Sequence, residues 1–166
     1  MDSLAAVRGR AGSSRGPLRR LGGRRRLAAA ARGAQSKLAV TFLSFGHKHG
    51  PPREADLSFD VRFLPNPHWE VDLRPLTGFD QRIVDYVGRD GRLQEFYDHV
   101  VPLLEYLLPQ YVNEGKAHLM VAIGCTGGRH RSVAITEHLA KQFRDRDEYF
   151  VEVAHRDVDR LPLKHD

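Results

Sequence analysis

Nine consecutive residues, Gly124-Cys125-Thr126-Gly127-Gly128-Arg129-His130-Arg131-Ser132, contain the groups that an anion cradle needs. Glycines let backbone N–H groups turn inward and close on a ligand. Arg131 offers a planar, two-pronged guanidinium, and Thr126 and Ser132 add hydroxyls. The residues after Ser132 read as a helix, whose positive end would face the loop. A phosphate monoester satisfies all of these groups at once.

The same stretch contains C-x5-R-S, from Cys125 to Arg131 and Ser132. That is the spacing of cysteine-dependent phosphatases, in which a thiolate attacks an arginine-bound phosphoryl group. Cys125 as nucleophile and Arg131 as clamp form the enzymatic alternative, which also requires a general acid from among Asp56, Asp60 and Asp80. Against it stands the reading of Cys125 as a small buried residue at a strand end.

Two further polar clusters follow strand-like runs. His47, Lys48 and His49 come directly after the first, as donors to an anion or pH-sensitive contacts, and His155 and Arg156 directly after the last. The candidate ligand-binding set is therefore His47, Lys48, His49, Thr126, Gly127, Gly128, Arg129, His130, Arg131, Ser132, His155 and Arg156. This set predicts that Arg131→Ala removes binding without unfolding the domain. His47 and His49 have no carboxylate close by in sequence, so no metal and no cofactor is assigned. Asp60 and Arg62 read as an ion pair holding the loop after their strand, and Trp69 as a loop anchor.

These groups need a scaffold, and hydrophobic periodicity supplies one. Leu38 to Phe45 reads as a mostly apolar strand ended by Gly46, and Asp56 to Leu64 alternates as a second, stopped by Pro65-Asn66-Pro67. Thr77 to Asp80 has capping-box spacing for a short helix to about Val87. Leu93, Phe96, Val100, Leu103, Leu104, Leu107 and Tyr111 mark one face of a helix that Pro102 should kink or divide. His118 to Gly124 is a strand, Ser132 to Phe143 a helix, and Tyr149 to Ala154 a closing strand. The fold class that follows is α/β, a small and at least partly parallel sheet flanked by helices.

Charge divides the 166 residues unevenly: residues 1–37 hold ten Lys/Arg against one acid, whereas the rest hold 16 against 20. Residues 1–36 read as a disordered basic arm, residues 37–158 as the folded domain and residues 159–166 as a frayed tail. The arm admits three readings: an RNA-binding segment acting through counterion release, an organellar transit peptide, or a passive tail. The single cysteine excludes an intramolecular disulfide and points to a reducing compartment, the cytoplasm, with an organelle as the alternative if the arm is a transit peptide. No uninterrupted apolar run reaches the 18 or so residues that a membrane span needs, so no membrane partner is expected.

Five stretches, Ser44 to Gly50, Phe59 to Trp69, Leu73 to Gly78, Val121 to Val133 and His155-Arg156, closely resemble, in order, the C-terminal domain of the RapZ family. These are RNase adapter proteins, also described as a nucleotide-binding protein family. The resemblance covers roughly residues 38–157. It implies a phosphofructokinase-like α/β domain that senses glucosamine-6-phosphate, with ligand contacts at His49, Thr126, Gly127, Gly128, His130 and Arg131. It also implies small-RNA binding and an RNase adapter role, as in characterised relatives. Family members carry an N-terminal P-loop domain, but no G-x-x-x-x-G-K-[ST] occurs in these 166 residues, so nucleotide hydrolysis is not inherited. The basic tail of some relatives is reduced here to Arg156, Arg160 and Lys164 among Asp157, Asp159 and Asp166. The expectation is a regulatory module for a phosphorylated small molecule, with RNA, a separate P-loop protein or an RNase as further candidate partners.

Overall fold

Four strands, β1 (Leu38–Gly46), β2 (Leu57–Asp60), β3 (His118–Cys125) and β4 (Tyr149–His155), form one sheet in the order β2-β3-β1-β4. This is seen in a computed structural model describing residues 37–160; the expected arm and all but the start of the expected tail lie outside the described residues. Every strand pairing is parallel, which sharpens the expected partly parallel sheet into a wholly parallel one. All carboxyl ends therefore emerge along one border: Gly46 lies opposite Cys125, Asp60 opposite Gly124, and Ser44 opposite His155. In open parallel sheets this border is where ligands bind.

Period-two alternation sends Leu38, Val40 and Phe42 of β1, Leu119, Val121 and Ile123 of β3, and Tyr149 of β4 into one core. Three helices supply the other side: α1 (Gln81–Gly88) through Ile83 and Val87, α2 (Arg92–Glu114) through Val100, Leu104 and Leu108, and α3 (Arg131–Arg144) through Ile135, Leu139 and Phe143. Each fully buried side chain of this size is worth about 1.5–3 kcal/mol, which makes the sheet a stiff base for its border loops.

Three elements depart from expectation. β2 stops at Asp60 because that carboxylate accepts hydrogen bonds from the Arg62 backbone N–H (3.0 Å) and from its guanidinium, pulling the chain into a turn. The expected ion pair thus exists and ends the strand. At α1 the N-cap is Asp80 itself, accepting from the Arg82 N–H at 3.0 Å, rather than a partner to Thr77. Helix α2 runs undivided through both Pro102 and Pro109, whose exposed positions cost hydrogen bonds only on the solvent side. Among the described residues no helix is long and apolar enough to cross a membrane.

Candidate functional site

Between the end of β3 and the first turn of α3 the chain folds back over the ends of β1 and β3. Gly128 makes the reversal possible at φ 76°. Cys125 and Ser132 brace the turn from beneath: the Cys125 Sγ accepts from the Gly128 N–H at 3.2 Å and lies 3.1 Å from the buried Ser132 Oγ. The Lys48 N–H donates to the Thr126 carbonyl at 3.2 Å, tying this loop to the turn after β1.

Arg129, His130 and Arg131 spend donors chiefly on main-chain carbonyls. Arg129 donates to Val158 O (2.9 Å) and Pro75 O (3.0 Å), and His130 Nε2 donates to Arg74 O (3.2 Å). Arg131 donates through Nη1 to Arg62 O (2.8 Å) and Leu64 O (3.0 Å), and through Nη2 to Thr126 Oγ1 (3.2 Å). In return the Gly78 N–H donates to Arg129 O at 3.0 Å. The anion loop and the segment from Arg62 to Gly78 are clasped into one unit. Arg131 is only 3% exposed, its Nε makes no hydrogen bond, and its three acceptors are two carbonyls and a hydroxyl. Burial pulls its basicity down, yet a guanidinium remains charged at any physiological pH.

The clasp encloses a cavity of about 440 Å³. Six of the expected residues line it: Lys48, Thr126, Gly127, Arg129, His130 and Arg131. His47, His49, Gly128, Ser132, His155 and Arg156 do not. Cys125, the nucleophile of the enzymatic alternative, lines it too, and Asn66, His68, Trp69, Arg74 and Arg160 complete the lining without having been singled out as binding residues. The signal for Asn66, His68 and Trp69 was the aromatic-containing turn after β2, which sequence reading took as a strand terminator with Trp69 as a loop anchor. Trp69 is corrected outright: it is 74% exposed, and the turn is held instead by Pro67, which is buried, and by Asn66 Oδ1 accepting from the His68 N–H.

Residues 38–159 match the family model for the RapZ C-terminal domain. The chain belongs to that family. Proteins called nucleotide-binding proteins from Rhodospirillum centenum, Desulforudis audaxviator and Geobacillus kaustophilus are 55%, 51% and 50% identical to it over 123, 126 and 127 residues. The matches take in 74%, 76% and 76% of this chain but only 37%, 42% and 42% of those relatives. This chain thus corresponds to about two fifths of their length.

Behind the cavity of this RapZ C-terminal domain, the remaining polar groups of the strand ends hold one another. His155 lies 2.8 Å from Ser44 Oγ through Nδ1 and 2.9 Å from Glu137 Oε1 through Nε2. Arg156 donates to Gly50 O at 2.6 Å and to Asp157, so it fixes the turn carrying His47, Lys48 and His49. Asp157, fully buried, accepts from the Gly46 N–H (2.8 Å) and from Arg156, and its other oxygen forms an ion pair with Arg160. Burial alone would raise this carboxyl, but Arg156 and the Gly46 N–H outweigh it and hold it below its usual value. His47 packs edge-on against Phe45 and sits 3.6 Å from Asp60; burial and then Arg62 keep its pKa low despite that carboxylate.

The three general-acid candidates are all held as carboxylates. The Arg62 side chain brings Asp60 down to about 2, and the Arg82 side chain lowers Asp80. Burial would raise Asp56, but Lys116 and the Met120 N–H lower it. None of the three lines the cavity.

Burial also pushes the His130 imidazole below 6.5, against the raising effect of the Arg74 and Leu76 carbonyls. The unfolded chain therefore takes up this proton first as pH falls. The His130 contribution to stability is whole above about pH 6.5 and is lost as pH drops from there through the folded value. His47 and His138 are lowered in the same direction. Melting temperatures recorded from about pH 8 to about pH 5 should fall, and His130→Gln should flatten part of that slope. A slope identical in the variant would contradict the placement of a neutral His130 in the clasp.

Proposed function

We propose that this domain binds a phosphorylated metabolite, a sugar phosphate of the glucosamine-6-phosphate type, in the clasped cavity and acts as a sensor or adapter module. The observation that carries this is Arg131, a buried guanidinium with an unpaired Nε and no carboxylate acceptor. A buried charge is costly unless an opposite charge and hydrogen bonds compensate it, and a bound anion supplies both. The lining agrees in sign, with Lys48, Arg74, Arg129, Arg131 and Arg160 and no Asp or Glu. The loop ahead of α3 adds the positive end of a helix.

Calorimetric titration with glucosamine-6-phosphate, with glucosamine and inorganic phosphate as controls, tests the reading. Saturable binding of the phosphosugar, with glucosamine silent, is the expected result; no binding of any phosphate ester would overturn it. The relatives are named nucleotide-binding proteins, and a nucleotide carries the same phosphate chemistry, so a nucleoside monophosphate belongs in the panel. RNA, a separate P-loop protein or an RNase are the candidate partners that would receive the signal.

Two observations favour the phosphatase alternative: Cys125 lines the cavity, and its Sγ accepts from the Gly128 N–H beside the Ser132 hydroxyl. The rest of that machinery is otherwise engaged. Arg131 spends its Nη groups on Arg62 O, Leu64 O and Thr126 Oγ1, and every acid candidate is ion-paired. A binding site needs neither a free clamp nor a stored proton.

A further inference from the structure

We infer that Trp69 is the platform on which the ring of the bound phosphate ester stacks, so that the cavity selects cyclic phosphate monoesters, phosphopyranoses above all, over acyclic ones. The inference rests on the phosphate-binding reading and adds the part of the ligand that the anion loop cannot recognise. A phosphate group alone does not tell one monoester from another.

Tryptophan is on average a highly buried residue, so one that leaves most of its indole in solvent calls for a reason. Trp69 is 74% exposed, and its ring borders the cavity that Thr126, Gly127 and Arg131 line. Looseness of the backbone does not explain it. The 3-10 turn Pro67–Trp69 starts with a buried proline and is capped by Asn66, and the Trp69 N–H and Glu70 N–H donate back to Asn66 O (3.3 Å) and Pro67 O (3.1 Å). Arg74 Nε donates to His68 O at 2.9 Å, closing the turn from its far side.

That rigid mount is registered to the anion loop. Arg131 holds Leu64 O ahead of the turn, and His130 and Arg129 hold Arg74 O and Pro75 O behind it. The loop proposed to take the phosphate and the turn that carries the indole cannot drift apart without breaking these three hydrogen bonds, of which the one from Arg131 to Leu64 O is buried. The His68 ring stands edge-on to the indole at 5.9 Å and 75°, which limits its swing on one side. Asn66, His68 and Thr126 line the cavity too and can bond ring hydroxyls. An apolar face with a few placed polar groups beside it suits a pyranose, whose C–H face is apolar and whose rim is polar.

The chain has one tryptophan, so indole emission, excited at wavelengths that its five tyrosines do not absorb, reports on this residue alone. Titration with glucosamine-6-phosphate should change the emission saturably, with the midpoint that calorimetry gives. Glycerol 3-phosphate, an acyclic monoester, should bind the natural chain roughly tenfold more weakly, the scale of losing one stacked ring. Trp69→Ala should bring the two ligands to within about threefold of each other, mainly by weakening the sugar phosphate, and Trp69→Phe should keep most of the preference. Both variants should melt with the natural chain, because the indole they lose is exposed. Constant emission during calorimetrically proven sugar phosphate binding, with natural affinity in Trp69→Ala, would overturn the platform and leave the phosphate site standing. Failure of the natural chain to bind any phosphate monoester would remove both.

Discussion

Arg131→Met should abolish the proposed sugar phosphate binding and also destabilise the fold, by roughly 3 kcal/mol or a fall in Tm on the order of 10 °C. Both effects have one origin. In the proposed function the guanidinium is the buried cation that the ligand compensates, and among the described residues it is also the donor that holds Arg62 O and Leu64 O. Removing it leaves carbonyls stranded beneath the turn that carries Trp69. Relief of the desolvation cost of a buried charge offsets part of the loss, which keeps the figure below the sum of three charge-assisted hydrogen bonds. The sequence-based expectation for Arg131→Ala, loss of binding without unfolding of the domain, now carries a cost in stability as well, for the same reason. Arg131→Lys separates the contributions: it keeps the charge but has no planar fork to span two carbonyls, so it should melt early while retaining measurable binding. Thermal denaturation and calorimetry on the two variants decide the matter, and natural stability in Arg131→Met would mean that the clasp is not formed.

The second large effect belongs to Gly128. A Cβ there would lie 2.5 Å from Gly46 N, 2.8 Å from Phe45 C and 2.9 Å from the Asp157 Cβ, at a backbone φ of +76°. Two costs combine: the left-handed conformation, about 1–2 kcal/mol for a residue with a Cβ, and a backbone clash with no flexible end to yield. Gly128→Ala should therefore lose more than about 3 kcal/mol and the sugar phosphate affinity with it. Gly115 supplies the control, because it stands in the left-handed region at φ +93° with nothing within 4 Å of the added Cβ. Gly115→Ala should show the conformational cost alone, about 1 kcal/mol. Equal melting temperatures for the two variants would show that the loop does not press against the end of β1.

The acid sensitivity around His130 and the stacking role of Trp69 address other parts of the same construction. The histidine reports whether the clasp is neutral and dry, the tryptophan what the clasp holds in place.

Much of this was legible in one dimension. The loop from Gly124 to Ser132 combines strand end, glycines, hydroxyls, arginine and helix start within nine residues, and local spacing alone places such groups around one point. Strand periodicity likewise placed β1, β3, β4 and α3 to within a residue or two, since each buries one face in a single core. The resemblance of five short stretches to the RapZ C-terminal domain needed no coordinates either. Only the tertiary structure decided how the donors are used. Arg129, His130 and Arg131 bond to backbone carbonyls 54 to 69 residues away for Pro75, Arg74 and Arg62. A carbonyl is the same in every residue, so nothing in the sequence marks these as the acceptors. The second wall of the cavity follows from that clasp: Asn66, His68, Trp69 and Arg74 reach the loop because Arg131 and His130 pull their segment onto it, and Arg160 because Asp157 holds it. His155 and Arg156 stand at a strand end as expected, but their distance from the cavity was settled by competing partners, Glu137, Ser44, Gly50 and Asp157, that came within hydrogen-bonding range only when the sheet assembled.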